Sequence, residues 1–125
     1  MLEMYRCKHC GNIVIMAHKG AGKLICCGEE MELLKPNTVD AAQEKHVPVT
    51  EIEDNKVCVK VGSAEHPMTE EHYIASILLE SEGSLQTRWL KPTDKPEAVF
   101  SLAEGEKPLA VYEYCTLHGL WKADL

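Results

Sequence analysis

Four cysteines within the first 27 residues constrain this chain more than any other feature. Cys7-Lys8-His9-Cys10-Gly11 is followed by Cys26-Cys27-Gly28, with fifteen residues between Cys10 and Cys26. Two paired sets of thiols, each with glycine directly behind, suit a tetrahedral sulfur site: tight turns aim backbone amides at the sulfurs, and glycine supplies the positive φ such turns need. The stretch from Tyr5 to about Leu34 is too short to hold an adequate hydrophobic core, so a metal must supply much of its folding free energy. The adjacency of Cys26 and Cys27 departs from the usual spacing of two or more residues and should distort the tetrahedron. A disulfide pair or idle cysteines are the competing account, and disulfides suit an oxidising compartment. Met1-Leu2-Glu3-Met4-Tyr5-Arg6 lacks both the basic cluster and the apolar core of a secretory signal, so the expectation is a cytoplasmic chain with reduced thiols. His9 and His18 read as exposed histidines that take no part in the sulfur site.

Lys35-Pro36-Asn37 ends this module, and the polar segment 38–45 reads as a connecting loop. Two domains are expected, 1–36 and 37–125. Beyond the boundary the pattern changes to short segments of period-two alternation with turn residues every ten or so positions. Val57, Val59 and Val61 share one strand face, with Lys56, Cys58 and Lys60 on the other. Leu85, Thr87 and Trp89 repeat the pattern, as do Ala98, Phe100 and Leu102, and then Leu109, Val111 and Glu113 opposite Ala110, Tyr112 and Tyr114. The segment from Tyr73 to Leu79 fits a buried strand or a helical stripe; its strand neighbours favour the strand. The spacing predicts an antiparallel β-sandwich. Cys58, on a polar strand face, reads as an unligated surface or interface cysteine.

Thirteen Lys and Arg against twenty Asp and Glu give a formal net charge of -7, which disfavours nucleic acid because such proteins carry a basic footprint. The longest apolar run, Ile13 to Ala17, cannot span a membrane.

Within the sandwich portion every histidine lies near a strand end or a turn. His46 precedes Val47-Pro48-Val49, His66 precedes Pro67, His72 follows Thr69-Glu70-Glu71, and His118 follows Cys115 by three residues. A single loop histidine seldom binds metal without partners. Four of them with a thiol can meet around one ion where loops converge at one end of a sandwich. Imidazole with one thiolate suits iron, zinc or copper, and five protein donors exceed what structural zinc takes. Four nitrogens in a plane with sulfur on the axis would leave one axial position open, the mark of a catalytic rather than a structural ion.

Cys7-x-x-Cys10 with Cys26-Cys27, then Glu44-Lys45-His46-Val47-Pro48-Val49, His66-Pro67-Met68 through Glu71-His72-Tyr73, and Glu113-Tyr114-Cys115-Thr116-Leu117-His118-Gly119-Leu120-Trp121-Lys122 resemble the desulfoferrodoxins. These are two-iron superoxide reductases of anaerobic and microaerophilic prokaryotes, and the resemblance covers nearly the whole chain. It implies a mainly β protein, with a small desulforedoxin- or rubredoxin-like knuckle domain before an immunoglobulin-like antiparallel β-sandwich. It also implies two non-haem irons, one held by Cys7, Cys10, Cys26 and Cys27, the other by equatorial His46, His66, His72 and His118 with axial Cys115. Lys45 matches the family lysine beside the open position, and Glu44 the carboxylate that occupies it in the ferric state. The activity implied is one-electron reduction of superoxide to hydrogen peroxide by a homodimer, re-reduced by rubredoxin or a similar carrier. A non-catalytic electron-transfer or iron-binding protein is the alternative. A zinc-ribbon interaction module is a third, and it leaves the histidines and Cys115 unexplained.

Overall fold

A computed structural model describes residues 2–125. The chain divides into two compact units, Met1–Lys35 and Pro36–Leu125. The first contains five short strands: β1 (Met4–Arg6), β2 (Ile13–Ile15), β3 (Ile25–Cys26), β4 (Glu29–Glu30) and β5 (Glu32–Leu33). They form an antiparallel sheet in the order β2-β1-β5 and a separate β3-β4 hairpin. In that hairpin Cys26 pairs with Glu29, and the two residues between them both have positive φ, 52° at Cys27 and 77° at Gly28. This is the two-residue turn whose twist matches that of its flanking strands, and glycine at its second position adopts the conformation without steric cost. The sharp turn also explains how adjacent cysteines can serve one site: Cys26 ends the strand while Cys27 rides the tip. Met4 and Cys7 are the only buried hydrophobic residues among those described in this unit. That is far less than a domain needs to fold by burial alone.

The second unit begins with a single helical turn, α1 (Gln43–His46), where the sequence suggested only loop. A four-residue turn is too short to show a period. Seven strands follow: β6 (Pro48–Glu53), β7 (Lys56–Val61), β8 (Ile74–Ser81), β9 (Ser84–Trp89), β10 (Glu97–Ser101), β11 (Pro108–Cys115) and β12 (Gly119–Asp124). They make two antiparallel sheets, β10-β7-β6 and β12-β11-β8-β9, so residues 74–81 are a strand as expected. The core between the sheets contains Val57, Val59, Val61, Ile74, Ile77, Leu79, Phe100, Val111 and Cys115. The alternation read on β7 and β10 is therefore the core pattern, with Cys58 half-buried on the other face.

On β9 the expectation inverts. Leu85 and Trp89 are 38% and 82% exposed, whereas the polar residues between them reach the opposite sheet. Gln86 donates to the Ser101 carbonyl at 2.8 Å, Arg88 donates to that of Val99 at 3.2 Å, and the Arg88 guanidinium lies 5.1 Å from the Phe100 ring centre. β9 is an edge strand, so long polar side chains can cap the open side of the sandwich. On central β11, every residue from Ala110 to Cys115 is buried, on both faces.

Phe100 is the largest fully buried side chain contributed by the β10-β7-β6 sheet. Phe100→Ala should destabilise the protein by about 3–5 kcal/mol. Urea unfolding followed by circular dichroism measures this, and a loss below about 1 kcal/mol would contradict the assignment of the core.

Candidate metal centres

The four cysteines of the first unit converge. All are free thiols, and their sulfurs lie within 4.8 Å of one another. The Cys10 and Cys26 sulfurs are 3.6 Å apart and those of Cys26 and Cys27 4.0 Å. Sulfurs about 2.3 Å from a common tetrahedral ion would be separated by about 3.8 Å, so the set fits a tetrathiolate metal. Its amides point at sulfur: the Cys10 N–H donates to the Cys7 sulfur at 3.5 Å. Chiefly through that bond, the Cys7 thiol is lowered to about 6. Cys27 is pushed up to about 12, first by Cys10 and then by Cys7 and Cys26. Four neighbouring thiols cannot all ionise without a cation among them. His9 and His18 are exposed; His9 lies 3.0 Å from Glu29 across the surface.

In the second unit four elements bring five donors to one end of the sandwich. His46 ends α1, just before β6. His66 and His72 lie in the connection between β7 and β8. Cys115 closes β11, and His118 sits in the three-residue loop before β12. In that hairpin Cys115 pairs with Gly119, whose φ of 79° is the left-handed conformation such a loop needs at its end. The loop folds the His118 amide back to donate to the Cys115 sulfur at 3.4 Å.

The imidazoles form a pinwheel. Ring centres of His46 and His66, His66 and His72, His72 and His118, and His118 and His46 are 4.6, 4.7, 4.9 and 4.9 Å apart, each pair near perpendicular at 80–87°. His46 and His72 face each other at 6.4 Å, inclined by only 21°. That is close to the diagonal of a square with such sides, so the four rings surround one point with His46 opposite His72 and His66 opposite His118.

Which atoms face that point follows from the outer hydrogen bonds. His46 Nδ1 donates to the Ala42 carbonyl at 2.8 Å, and His66 Nδ1 to that of Pro67 at 2.7 Å. Burial lowers the pKa of both rings, His66 to about 4, so each is neutral with a bare Nε2. Yet those two lone-pair nitrogens stand 3.1 Å apart. His118 approaches His46 Nε2 at 3.1 Å through Nδ1 instead. His72 Nε2 is buried without a hydrogen-bond partner, and its ring is likewise held neutral by burial. The Cys115 sulfur is 3.5 Å from His66 Nε2, and burial raises its pKa. Lone pairs facing one another in a buried space repel unless a cation lies between them. Nitrogens about 2.1 Å from an ion and at right angles would lie about 3.0 Å apart, so the donors fit a metal.

Further residues hold the rings in place. Trp121 stacks on His46 at 4.9 Å, and its indole N–H donates to the His118 carbonyl at 3.1 Å. The Thr116 hydroxyl accepts the Tyr73 amide at 3.2 Å, tying the His72 and Cys115 segments together. Glu44 and Lys45 are exposed on α1, immediately before His46. Glu113 is fully buried with both carboxylate oxygens unpaired, and burial raises its pKa well above the ordinary value. Its place in an alternating strand pattern carried no sign of that environment.

Both units match known proteins. The desulfoferrodoxin family model matches residues 38–124, and that of the desulfoferrodoxin N-terminal domain residues 1–34. The desulfoferrodoxin of Syntrophotalea carbinolica is 55% identical over 98% of this chain and 96% of its own length. That of Nitratidesulfovibrio vulgaris is 52% identical over 98% and 95%. The crystal structure of the superoxide reductase from Treponema pallidum, 36% identical, superimposes with a TM-score of 0.82 over 98% of both chains.

The buried neutral histidines fix the sign of a pH effect in metal-free protein. An unfolded histidine takes a proton near pH 6.5, whereas folded His66 does so only at about 4. The unfolded chain binds more protons between these values, so stability is full above the window and falls as pH drops through it. Urea midpoints of chelator-stripped protein should decline on acidification across this range; a rising midpoint would contradict neutral buried rings.

Proposed function

Because the chain belongs to the desulfoferrodoxin family, we propose that it is a superoxide reductase, converting superoxide, one electron and two protons to hydrogen peroxide. The observation that carries this reading is the pinwheel of four imidazoles, of which His46, His66 and His72 hold their donor atoms and the Cys115 sulfur within 4.8 Å of one another. Five such donors leave one direction of a six-coordinate ion to a small anion. Iron held by His46, His66, His72, His118 and Cys115 would supply the electron and that binding direction. Cys7, Cys10, Cys26 and Cys27 would hold the second iron of the chain.

The protein's own residues divide the remaining work. The carbonyls of Ala42 and Pro67 keep His46 and His66 in the tautomer that offers Nε2 inward. Cys115, whose sulfur accepts the His118 amide, would be the soft, electron-rich member of the donor set and as a thiolate would favour protonation and release of the product. Lys45, exposed beside His46, draws in the anion locally although the chain carries a net charge of -7. It orients the anion and a water that donates protons; an exposed ammonium is itself a weak acid at neutral pH. Glu44, exposed two residues before His46, would be the carboxylate at hand for the same site when it is oxidised.

The external electron donor is rubredoxin or a similar small carrier, for which exposed Cys10 and Cys27 offer a short path into the sulfur site. The working form is a homodimer in the cytoplasm, where it removes superoxide. No helix among the described residues is long and apolar enough to cross a membrane, and the free thiols suit a reducing compartment.

A reductase consumes superoxide without returning oxygen. Reduced protein mixed with superoxide should yield hydrogen peroxide and no stoichiometric oxygen at an oxygen electrode. Evolution of one oxygen for every two superoxides consumed would identify a dismutase and sink the proposal. Cys115→Ser replaces a soft donor with a hard one. It should remove the second unit's share of the thiolate-to-iron absorption of the oxidised protein, leaving that of the four-cysteine site, and slow superoxide reduction by about tenfold or more. An unchanged spectrum with full activity would refute Cys115 as a donor to the iron.

A further inference from the structure

The residues that keep the His46 and His66 segments in register lie outside the donor set. After Val61 the chain passes over Gly62, Ser63 and Ala64 on its way to His66, whose amide donates back to the Val61 carbonyl at 3.3 Å. On the way this segment grips the carbonyl of Glu44. The Ala64 amide donates to it at 2.8 Å and the Ser63 hydroxyl at 3.3 Å. Buried Gly62 closes on the same peptide: a Cβ built there would lie 2.5 Å from the Glu44 oxygen, 3.0 Å from the Lys45 carbonyl carbon and 3.1 Å from that of Glu44. Those are backbone atoms, which cannot step aside as a side-chain end can. At every other glycine a Cβ meets nothing within 4 Å, except at Gly119, where Val39 lies 3.6 Å away. Glycine at position 62 is thus required by space.

This grip matters because α1 has little to hold it by itself. It is a single turn, its N-cap residue Ala42 makes no side-chain cap, and Glu44 and Lys45 are exposed. A turn of that length has no appreciable stability of its own, so its orientation is set by what it is tied to. We propose that Gly62, Ser63 and Ala64 form a clamp on the Glu44–Lys45 peptide that positions Lys45 for superoxide capture, with Gly62 as the positioning residue. The proposal rests on the superoxide reductase reading. Since the clamp belongs to the segment that delivers His66, it also sets the charged pair on α1 relative to two members of the pinwheel.

The test uses iron-loaded wild type, Gly62→Ala, Ser63→Ala, Ser63→Thr, Lys45→Ala and the Gly62→Ala/Lys45→Ala double variant. Two readouts are taken: the rate constant with superoxide as a function of ionic strength, and hydrogen exchange of the peptide spanning residues 62–66 by mass spectrometry. Gly62→Ala should retain its iron, exchange faster over 62–66, and react about tenfold or more slowly at low salt, as displacement of a charged group by an ångström or so implies. Its rate should depend less on salt, because that dependence reports the field of Lys45. Added to Lys45→Ala it should cost little more. Ser63→Ala should shift both readouts in the same direction by about two- to threefold, the scale of one hydrogen bond, and Ser63→Thr should restore them. This serine series decides the matter should Gly62→Ala fail to fold. Wild-type rate, salt dependence and exchange in the Gly62 and Ser63 variants would overturn the clamp, as would full additivity with Lys45→Ala. A wild-type chain that leaves superoxide intact would instead overturn the functional reading.

Discussion

Two neutral imidazole Nε2 atoms, each left bare because the ring's Nδ1–H donates to a backbone carbonyl on the far side, stand 3.1 Å apart with only lone pairs between them. Such a contact costs free energy in a buried place unless a cation fills it, and much of the second unit can be understood as the structure that enforces it. The sandwich core supplies rigid strand ends. The hairpin after β11 turns His118 back over Cys115. Trp121 braces one ring face and one loop carbonyl together. The polar cost of the site is thus confined to one end of a hydrophobic interior, where a metal would offset it.

The first unit meets the same constraint with sulfur. With only Met4 and Cys7 as buried apolar residues among those described, it lacks the core that would hold five short strands together. Four thiols drawn within 4.8 Å of one another, one lowered and two raised in pKa by their neighbours, resist that geometry until a cation neutralises them. Folding and metal binding are then one equilibrium in this unit.

Residue type and spacing made the donors legible, because few other uses place four thiols and a thiol–imidazole pair at such intervals. Strand alternation was equally plain where both neighbours are strands, as on β7. It misled on β9, an edge strand where Arg88 and Gln86 face across the sandwich and Trp89 points away. The helical turn at 43–46 escaped notice because four residues carry no period and its anchor, the Glu44 carbonyl, is a tertiary contact. Gly62 was silent for a related reason: its need is for space against a peptide some eighteen residues away, and a glycine in a loop ordinarily signals only a turn. The adjacent Cys26 and Cys27 looked anomalous until the turn at Cys27-Gly28 showed how each can reach one centre.

The central claim is that four imidazole nitrogens and one sulfur surround a single iron in the second unit. X-ray absorption at the iron edge of the Cys10→Ser variant, in which the tetrathiolate set is broken, examines that claim directly. Four nitrogen scatterers at about 2.1 Å with one sulfur at about 2.3 Å or slightly beyond would bear it out. A shell without sulfur, a shell of several sulfurs, or protein carrying no iron at all would contradict it.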